Sequence, residues 1–166
     1  MRRILSLITF GFLAITAQSQ NIQDKAYANR LKFLLSHSVE EISVKDAAEL
    51  HGKAIFLDSR AKKEYTVSHI KGAKWIGYDE FDTSSLKGIS KDKTIIVYCS
   101  VGYRSEKITK KLNKLGYKSV SNLYGGMFEW VNQGEKVYTN EDVATLKVHA
   151  YNKTWSKWLK RGVKIY

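Results

Sequence analysis

The single cysteine of the sequence, Cys99, is the residue best suited to nucleophilic chemistry. It follows the apolar run 95–98 and precedes a short loop, residues 100–104, that leads into a segment of helical periodicity. The N-terminus of a helix favours the thiolate, which is the nucleophilic form of cysteine. Successive backbone amides in such a loop can also surround an anion. We therefore predict that Cys99 is a nucleophile, in preference to the buried, inert thiol that free cysteines more often are.

Two continuous apolar runs place this cysteine in a sheet. Residues 54–57 end at Asp58 and residues 95–98 end at Cys99, and continuous rather than alternating runs are typical of strands covered on both faces. Ligand crevices of open parallel sheets lie beyond the carboxyl ends of the strands. We therefore expect Asp58 and Cys99 at the same edge of the sheet.

Helical segments alternate with the strands, and this alternation predicts an α/β fold with a parallel sheet. Short strands are predicted over 73–76 and 119–123. Helices are predicted at 22–36, from a capping box of Ser43 and Asp46 to Leu50, at 62–65, at 105–115, and after Gly125-Gly126.

The length of 166 residues, with 43% apolar and 27% charged residues, suits one globular domain with its own core. We assign the domain to residues 42–138, preceded by a helical lead-in at 20–41. Residues 139–166 form a C-terminal extension, in which an apolar stripe predicts a helix that docks on the domain; the stripe consists of Tyr151, Trp155, Trp158 and Leu159.

The first 19 residues have the pattern of a secretory signal peptide. Arg2 and Arg3 precede a largely apolar stretch that ends in small residues, and we predict cleavage after Ser19. The stretch is too short and too interrupted by polar residues for a stable membrane anchor. We expect a periplasmic or secreted protein.

The formal net charge of +12 narrows the choice of partners. The lysines are scattered along the chain without a dense basic block, which favours attraction of small anions over nucleic-acid binding. We expect no nucleic-acid partner. The four histidines show no metal-ligand spacing and are interpreted as structural, so no metal site is predicted; they are His37, His51, His69 and His149.

Five ordered motifs between about Ile42 and Gly134 resemble the rhodanese-like sulfurtransferases. They are Leu57-Asp58-Ser59-Arg60, Glu64-Tyr65, His69-Ile70-Lys71-Gly72-Ala73, Cys99-Ser100-Val101-Gly102-Tyr103-Arg104-Ser105, and Leu123-Tyr124-Gly125-Gly126-Met127 with Trp130. The resemblance implies a five-stranded parallel sheet flanked by helices on both faces. It also implies that Cys99 carries sulfur as a persulfide, cradled by a loop of Ser100, Val101, Gly102, Tyr103, Arg104 and Ser105.

The same resemblance implies a two-stage reaction without a cofactor. Cys99 takes sulfur from a small anionic donor such as thiosulfate, and a thiophilic acceptor, either cyanide, a thiol or a protein, then removes it. Ser100 and Val101 stand where members specialised for thiosulfate carry basic residues, so it stays open whether thiosulfate is a good donor. Lys71 and Ser68 depart from the usual proline and glycine of a turn, where both should be tolerated.

Two charged residues are expected to support the loop. The resemblance assigns Asp58 and Arg60 to bracing it, and Glu64 is a plausible salt partner for Arg60. Arg104 closes the loop, and two roles stay open for it: facing an incoming oxyanion, or tying the loop to a carboxylate such as Asp58.

Two other functions compete with sulfur transfer. Four residues separate Cys99 from Arg104, one fewer than in the related cysteine phosphatases, and the narrower loop favours sulfane sulfur over phosphate or arsenate. An arsenate reductase would also need a second cysteine. A secreted binding module that keeps the fold without turnover is the other alternative, although inactive relatives generally lose the cysteine.

Overall fold

The computed structural model of the chain describes residues 22–166. The predicted signal peptide therefore lies outside the described residues. The helices are α1 (Lys25–Leu34), α2 (Val44–Glu49), α3 (Lys62–Val67), α4 (Tyr103–Lys114) and α5 (Gly126–Asn132). The strands are β1 (Glu41–Ile42), β2 (Ile55–Asp58), β3 (Lys74–Trp75), β4 (Thr94–Tyr98), β5 (Ser119–Leu123), β6 (Val137–Tyr138), β7 (Ala144–Thr145), β8 (Lys147–His149) and β9 (Val163–Ile165).

The first five strands form one parallel sheet in the order β1-β5-β4-β2-β3. Strand β4 lies at its centre and pairs with β2 on one side and β5 on the other. The continuous apolar run of β4 suits this position, because a central parallel strand is covered on both faces. The predicted five-stranded parallel sheet with flanking helices is confirmed.

Alternate residues of the strands face two separate cores. Phe56 and Ile96 pack with residues of α1, α2 and α5 on one face, whereas Leu57 and Ile95 pack with residues of α4 on the other. This division follows from the two-residue period of a strand. Each fully buried side chain of this size contributes about 1.5–3 kcal/mol relative to its exposure, so the cores hold the sheet edge in place.

Local sequence signals explain where the helices begin and end. The Ser43 hydroxyl accepts a hydrogen bond from the Asp46 amide at 3.1 Å and caps α2, as the capping-box pattern predicts. Helix α4 begins at Tyr103, two residues before the predicted start, directly after Gly102 in a left-handed conformation (φ 106°). It is followed by Gly116, also at positive φ. Among the described helices, none is long and apolar enough to cross a membrane.

The C-terminal residues depart from the predicted docking helix. They form a two-stranded parallel sheet of β8 and β9, and only Ser156–Trp158 makes a 3-10 turn. Left-handed backbone at Tyr151 and at Gly162 interrupts helical geometry on both sides of this turn. The aromatic stripe still packs on the domain, since Trp158 stacks on Tyr27 of α1 with ring centroids 5.3 Å apart.

Candidate active site

Cys99 follows β4 directly, at the carboxyl edge of the sheet. The residue is only 1% exposed, yet it lines a cleft of ≈ 510 Å³. Cys99 is thus buried, contrary to the unburied thiol expected from the sequence, and a reagent can reach it through this cleft.

Helix α5 orients the backbone of the cysteine loop. The amides of Met127 and Phe128 donate hydrogen bonds to the carbonyls of Cys99 and Ser100, at 2.8 and 3.0 Å. Because C=O and N–H point in opposite directions across a trans peptide, the amides of Ser100 and Val101 are turned away from α5. Neither amide has an acceptor within residues 22–166.

Gly102 supplies the amide that contacts the sulfur. Its N–H donates to Cys99 Sγ at 3.2 Å, and its carbonyl accepts from the Asn122 side chain at 3.1 Å and from the Glu106 amide at 3.0 Å. The first amides of α4 have no intrahelical acceptor, as in any helix. One amide therefore holds the sulfur, and neighbouring amides remain available for a further anionic atom.

A close approach at Gly126 makes this arrangement possible. A Cβ atom at Gly126 would lie 2.4 Å from the carbonyl oxygen of Cys99 and 2.8 Å from the Val101 nitrogen, and its φ of +58° is left-handed. Only glycine allows α5 to approach the loop so closely.

Arg104 binds a carboxylate, and that carboxylate belongs to Glu64. Its Nη1 donates to Oε2 at 2.7 Å and its Nη2 to Oε1 at 2.9 Å, in a bidentate pair. The Ser100 hydroxyl also donates to Oε1, at 2.8 Å. Of the two roles left open for Arg104, the structure shows the tie to a carboxylate, with Glu64 in the place suggested for Asp58.

This pair shifts the pKa values of both partners. Burial raises the pKa of Glu64, but the hydrogen bonds and positive charge of Arg104 outweigh burial and lower it from 4.5 to about 2. Burial acts to lower the pKa of Arg104, but hydrogen bonding and charge from Glu64, with charge on Cys99, leave it raised. Both side chains are therefore ionised at neutral pH.

Asp58 and Arg60 form a second ion pair, which is wholly buried. Arg60 Nε lies 3.0 Å from Asp58 Oδ1, and its Nη2 lies 2.6 Å from Oδ2 and 2.6 Å from the Ser68 carbonyl oxygen. The predicted pairing of Arg60 with Glu64 is wrong, because Asp58 is on the same short turn and Glu64 faces the loop instead. Neither Asp58 nor Arg60 lines the cleft. They lie behind the loop, where Arg60 faces the Tyr98 ring at 5.6 Å.

The remaining predicted loop residues differ in their access to the cleft. Ser100, Val101, Tyr103 and Arg104 line it, whereas the Ser105 side chain is fully buried. Residues from other elements complete the walls; they are Leu34, Ala61, Lys63, Glu64, Tyr78, Asp79, Tyr151 and Trp155. Apart from Glu64, none of these was singled out as part of a site from the sequence.

Tyr151 is the least expected residue of the site. It lies in left-handed backbone at φ 64°, which is rare for a bulky residue and costs of order 1–2 kcal/mol. Its amide donates to His149 Nδ1 at 3.1 Å, and its ring lies 5.2 Å from the Arg104 guanidinium. The C-terminal extension thus holds an aromatic ring beside the end of the cysteine loop.

His149 and His69 both make contacts within the fold. Burial lowers the pKa of His149, which favours the neutral ring that accepts from Tyr151. His69 stacks on the Tyr65 ring with centroids 4.0 Å apart. No cluster of metal-ligating side chains occurs between residues 22 and 166.

Comparison with known families identifies the class of protein. Residues 43–133 match the rhodanese-like domain, which is more than half of the chain. The chain therefore belongs to the rhodanese-like domain family, in agreement with its sheet topology and the position of Cys99.

Curated relatives share part of the sequence. The tRNA uridine(34) hydroxylase of Hamiltonella defensa subsp. Acyrthosiphon pisum is 30% identical over 125 residues, which is 71% of this chain and 34% of that protein. The enzyme of the same name from Enterobacter sp. is 33% identical over 88 residues, 50% of this chain and 25% of that protein. The chain thus spans about a third or less of these relatives.

Solved structures share the fold. The BH2092 protein of Bacillus halodurans has a TM-score of 0.56 at 27% identity, covering 69% of this chain and 84% of that one. A thiosulfate sulfurtransferase of Pseudomonas aeruginosa has a TM-score of 0.59 at 19% identity, covering 81% of this chain and 26% of that one. The second similarity shows the fold alone.

Proposed function

We propose that the protein is a sulfurtransferase that moves sulfane sulfur from a donor such as thiosulfate to a thiophilic acceptor through a persulfide on Cys99. The observation that carries the proposal is the position of Cys99 Sγ. Cys99 is buried but lines a cleft, and the Gly102 amide donates to its sulfur at 3.2 Å.

In the first stage the Cys99 thiolate attacks the outer sulfur of the donor. A bond forms between Sγ and that sulfur, the S–S bond of thiosulfate breaks, and its electron pair leaves with sulfite. The enzyme then carries Cys99–S–S⁻. Free amides of the loop stabilise the terminal sulfur by hydrogen bonds that are already oriented.

In the second stage a thiophilic acceptor takes the terminal sulfur. Cyanide attacks it, the bond to Sγ breaks, and thiocyanate leaves while the Cys99 thiolate is regenerated. A thiol acceptor gives its own persulfide in the same way, and ping-pong kinetics follow from the covalent intermediate.

The geometry of Arg104 favours sulfur transfer over phosphate chemistry. Both outer nitrogens of its guanidinium bind Glu64, so the fork that would clamp a phosphate bidentately is already used. A phosphatase would need this pair to separate. Release of phosphate from an aryl phosphate, lost in Cys99→Ser, would support the phosphatase instead.

Intact mass spectrometry tests the proposal. After incubation with thiosulfate or an organic thiosulfonate, the protein should gain the mass of one sulfur atom and lose it on addition of cyanide, with release of thiocyanate. Cys99→Ser is the matched control and should gain nothing. A wild-type protein that gains no sulfur from any donor would support the binding module.

We also propose that the mature protein is periplasmic or secreted, on the basis of the N-terminal pattern that ends at Ser19. N-terminal sequencing of protein recovered from the periplasm or medium should begin at Gln20. We expect no nucleic-acid partner, and a mobility shift of tRNA at physiological salt would contradict this expectation.

A further inference from the structure

The cleft above Cys99 is larger than a small inorganic donor requires. Its volume is ≈ 510 Å³, within the range of about 300–1,000 Å³ that is typical of sites for drug-sized organic molecules. Thiosulfate would occupy only a small part of this volume. The rest of the cleft is therefore available to the body of a larger substrate.

Aromatic and aliphatic side chains contribute to the lining of the cleft. Tyr78 and Tyr103 contribute from the domain, and Leu34 from α1. Tyr151 and Trp155 contribute from the C-terminal extension, which lies beyond the family match at residues 43–133. Tyr151 is 47% exposed, so its ring is open to a ligand.

The charge of the cleft suits a monoanion better than a dianion. Arg104 is neutralised by Glu64, and Lys63 has no ion-pair partner in the described part of the chain. Asp79, an exposed residue of the lining, adds a negative charge. A second negative charge on a ligand would lose its hydration in the cleft, and no further cation of the lining would compensate for that loss.

We propose that Tyr151 and Trp155 form a specificity wall that selects an organic sulfur donor, with a flat apolar body and one negative charge, over thiosulfate. The inference rests on the proposed sulfur transfer and names its substrate class. The left-handed backbone of Tyr151, secured by the hydrogen bond from its amide to His149 Nδ1, keeps the ring beside Arg104, in the cleft that Cys99 also lines.

The chemistry of such a donor is the same as that of thiosulfate. With an aryl thiosulfonate, the Cys99 thiolate attacks the terminal sulfur, the S–S bond breaks, and the electron pair leaves with the arenesulfinate. The aryl ring stacks on the wall while the free loop amides stabilise the transferred sulfur, as with thiosulfate. Aromatic pairs of this kind prefer offset-stacked or edge-to-face contact.

Donor selectivity tests the wall. We would measure kcat/KM for benzenethiosulfonate, methanethiosulfonate and thiosulfate, with cyanide as acceptor and thiocyanate as readout. For each donor we would take the ratio of kcat/KM between the variant and the wild type, because the intrinsic reactivity of the donor cancels in this ratio. Tyr151→Ala should lower the value for benzenethiosulfonate about tenfold and leave the other two within about twofold. Trp155→Leu should act in the same direction.

Three further variants make the result decisive. Tyr151→Phe keeps the ring and should keep the selectivity. Tyr151→Asn removes the ring but accepts left-handed backbone readily, so agreement with Tyr151→Ala assigns the loss to the ring. Tyr166→Ala is the matched control, an aromatic residue that is 60% exposed and outside the cleft.

The outcomes separate this inference from the proposed function. If Tyr151→Ala lowers kcat/KM equally for all three donors, or for none of them, the proposed specificity wall is contradicted. The proposed sulfur transfer would be unaffected. If the wild type forms a persulfide with none of the donors, both the proposed sulfur transfer and the specificity wall are contradicted.

Discussion

Glu64 holds both ends of the cysteine loop with one carboxylate. Its Oε1 accepts from the Ser100 hydroxyl at 2.8 Å and from Arg104 Nη2 at 2.9 Å, while its Oε2 accepts from Arg104 Nη1 at 2.7 Å. Glu64 is 1% exposed. A buried charge with good geometry fixes positions tightly, and its removal leaves the partner charge uncompensated.

Replacement of Glu64 by glutamine should destabilise the fold. Glu64→Gln keeps the size of the side chain but leaves Arg104 without its counter-charge, and we expect a loss of about 3 kcal/mol in the free energy of unfolding. Urea denaturation measures it. Asp92→Asn is the control, because Asp92 pairs with Lys118 at the exposed surface and should cost less than about 1 kcal/mol. Equal losses in the two variants would contradict the assigned role.

Acid should remove the contribution of Glu64 over a defined range of pH. Its pKa is lowered from 4.5 to about 2 in the folded protein, so the folded state binds fewer protons than the unfolded state between these values. The stability that it contributes is therefore present above pH 4.5 and is lost as pH falls towards 2. The difference in unfolding free energy between the wild type and Glu64→Gln should shrink over that interval. A difference that is constant with pH would show that the carboxylate charge does not matter.

A methyl group at Gly126 should displace the cysteine loop. In Gly126→Ala the Cβ would meet the Cys99 carbonyl oxygen at 2.4 Å, so the loop or α5 must move, and we expect persulfide formation to slow at least tenfold. Gly116→Ala is a matched control with positive φ and open space around it, which should cost only about 1 kcal/mol of stability. Single-turnover measurement by mass spectrometry checks the rate, and an unchanged rate in Gly126→Ala would refute the steric argument.

Loss of Asp58 should affect stability more than chemistry. Asp58→Ala leaves the fully buried Arg60 unpaired, at a cost of about 3–5 kcal/mol. Neither side chain lines the cleft, so molecules that remain folded should form the persulfide within about threefold of the normal rate. Denaturation and single-turnover rates at low temperature separate the two effects. A rate lowered a hundredfold in a stable variant would place Asp58 in the reaction itself.

The sequence predicts most of the sheet because the signals involved are local. The apolar runs before Asp58 and Cys99 become β2 and β4, and Ser43 caps α2 as its spacing to Asp46 indicates. The position of Cys99 at the carboxyl edge follows from parallel topology alone. These features depend on neighbours within a few residues, or on the rule that ligand crevices lie beyond the carboxyl ends of parallel strands.

The missed features depend on contacts between distant segments. Arg104 and Glu64 are 40 residues apart, and nothing in their spacing decides whether Asp58 or Glu64 is the partner. The aromatic spacing of the C-terminal extension suits a helix, but left-handed backbone at Tyr151 overrides that period. Tyr151 and Trp155 line the cleft because of tertiary packing, which their spacing in the sequence does not reveal.

The place of β4 in the middle of the sheet has a consequence for the reactivity of the thiol. Edge strands such as β1 and β3 open in local fluctuations, whereas a central strand exchanges its amide hydrogens only when large parts of the fold open. Cys99 directly follows this central strand, which is among the last parts of the fold to open. We therefore expect the size and shape of an electrophile, rather than local unfolding, to decide which reagents modify Cys99 in the native protein.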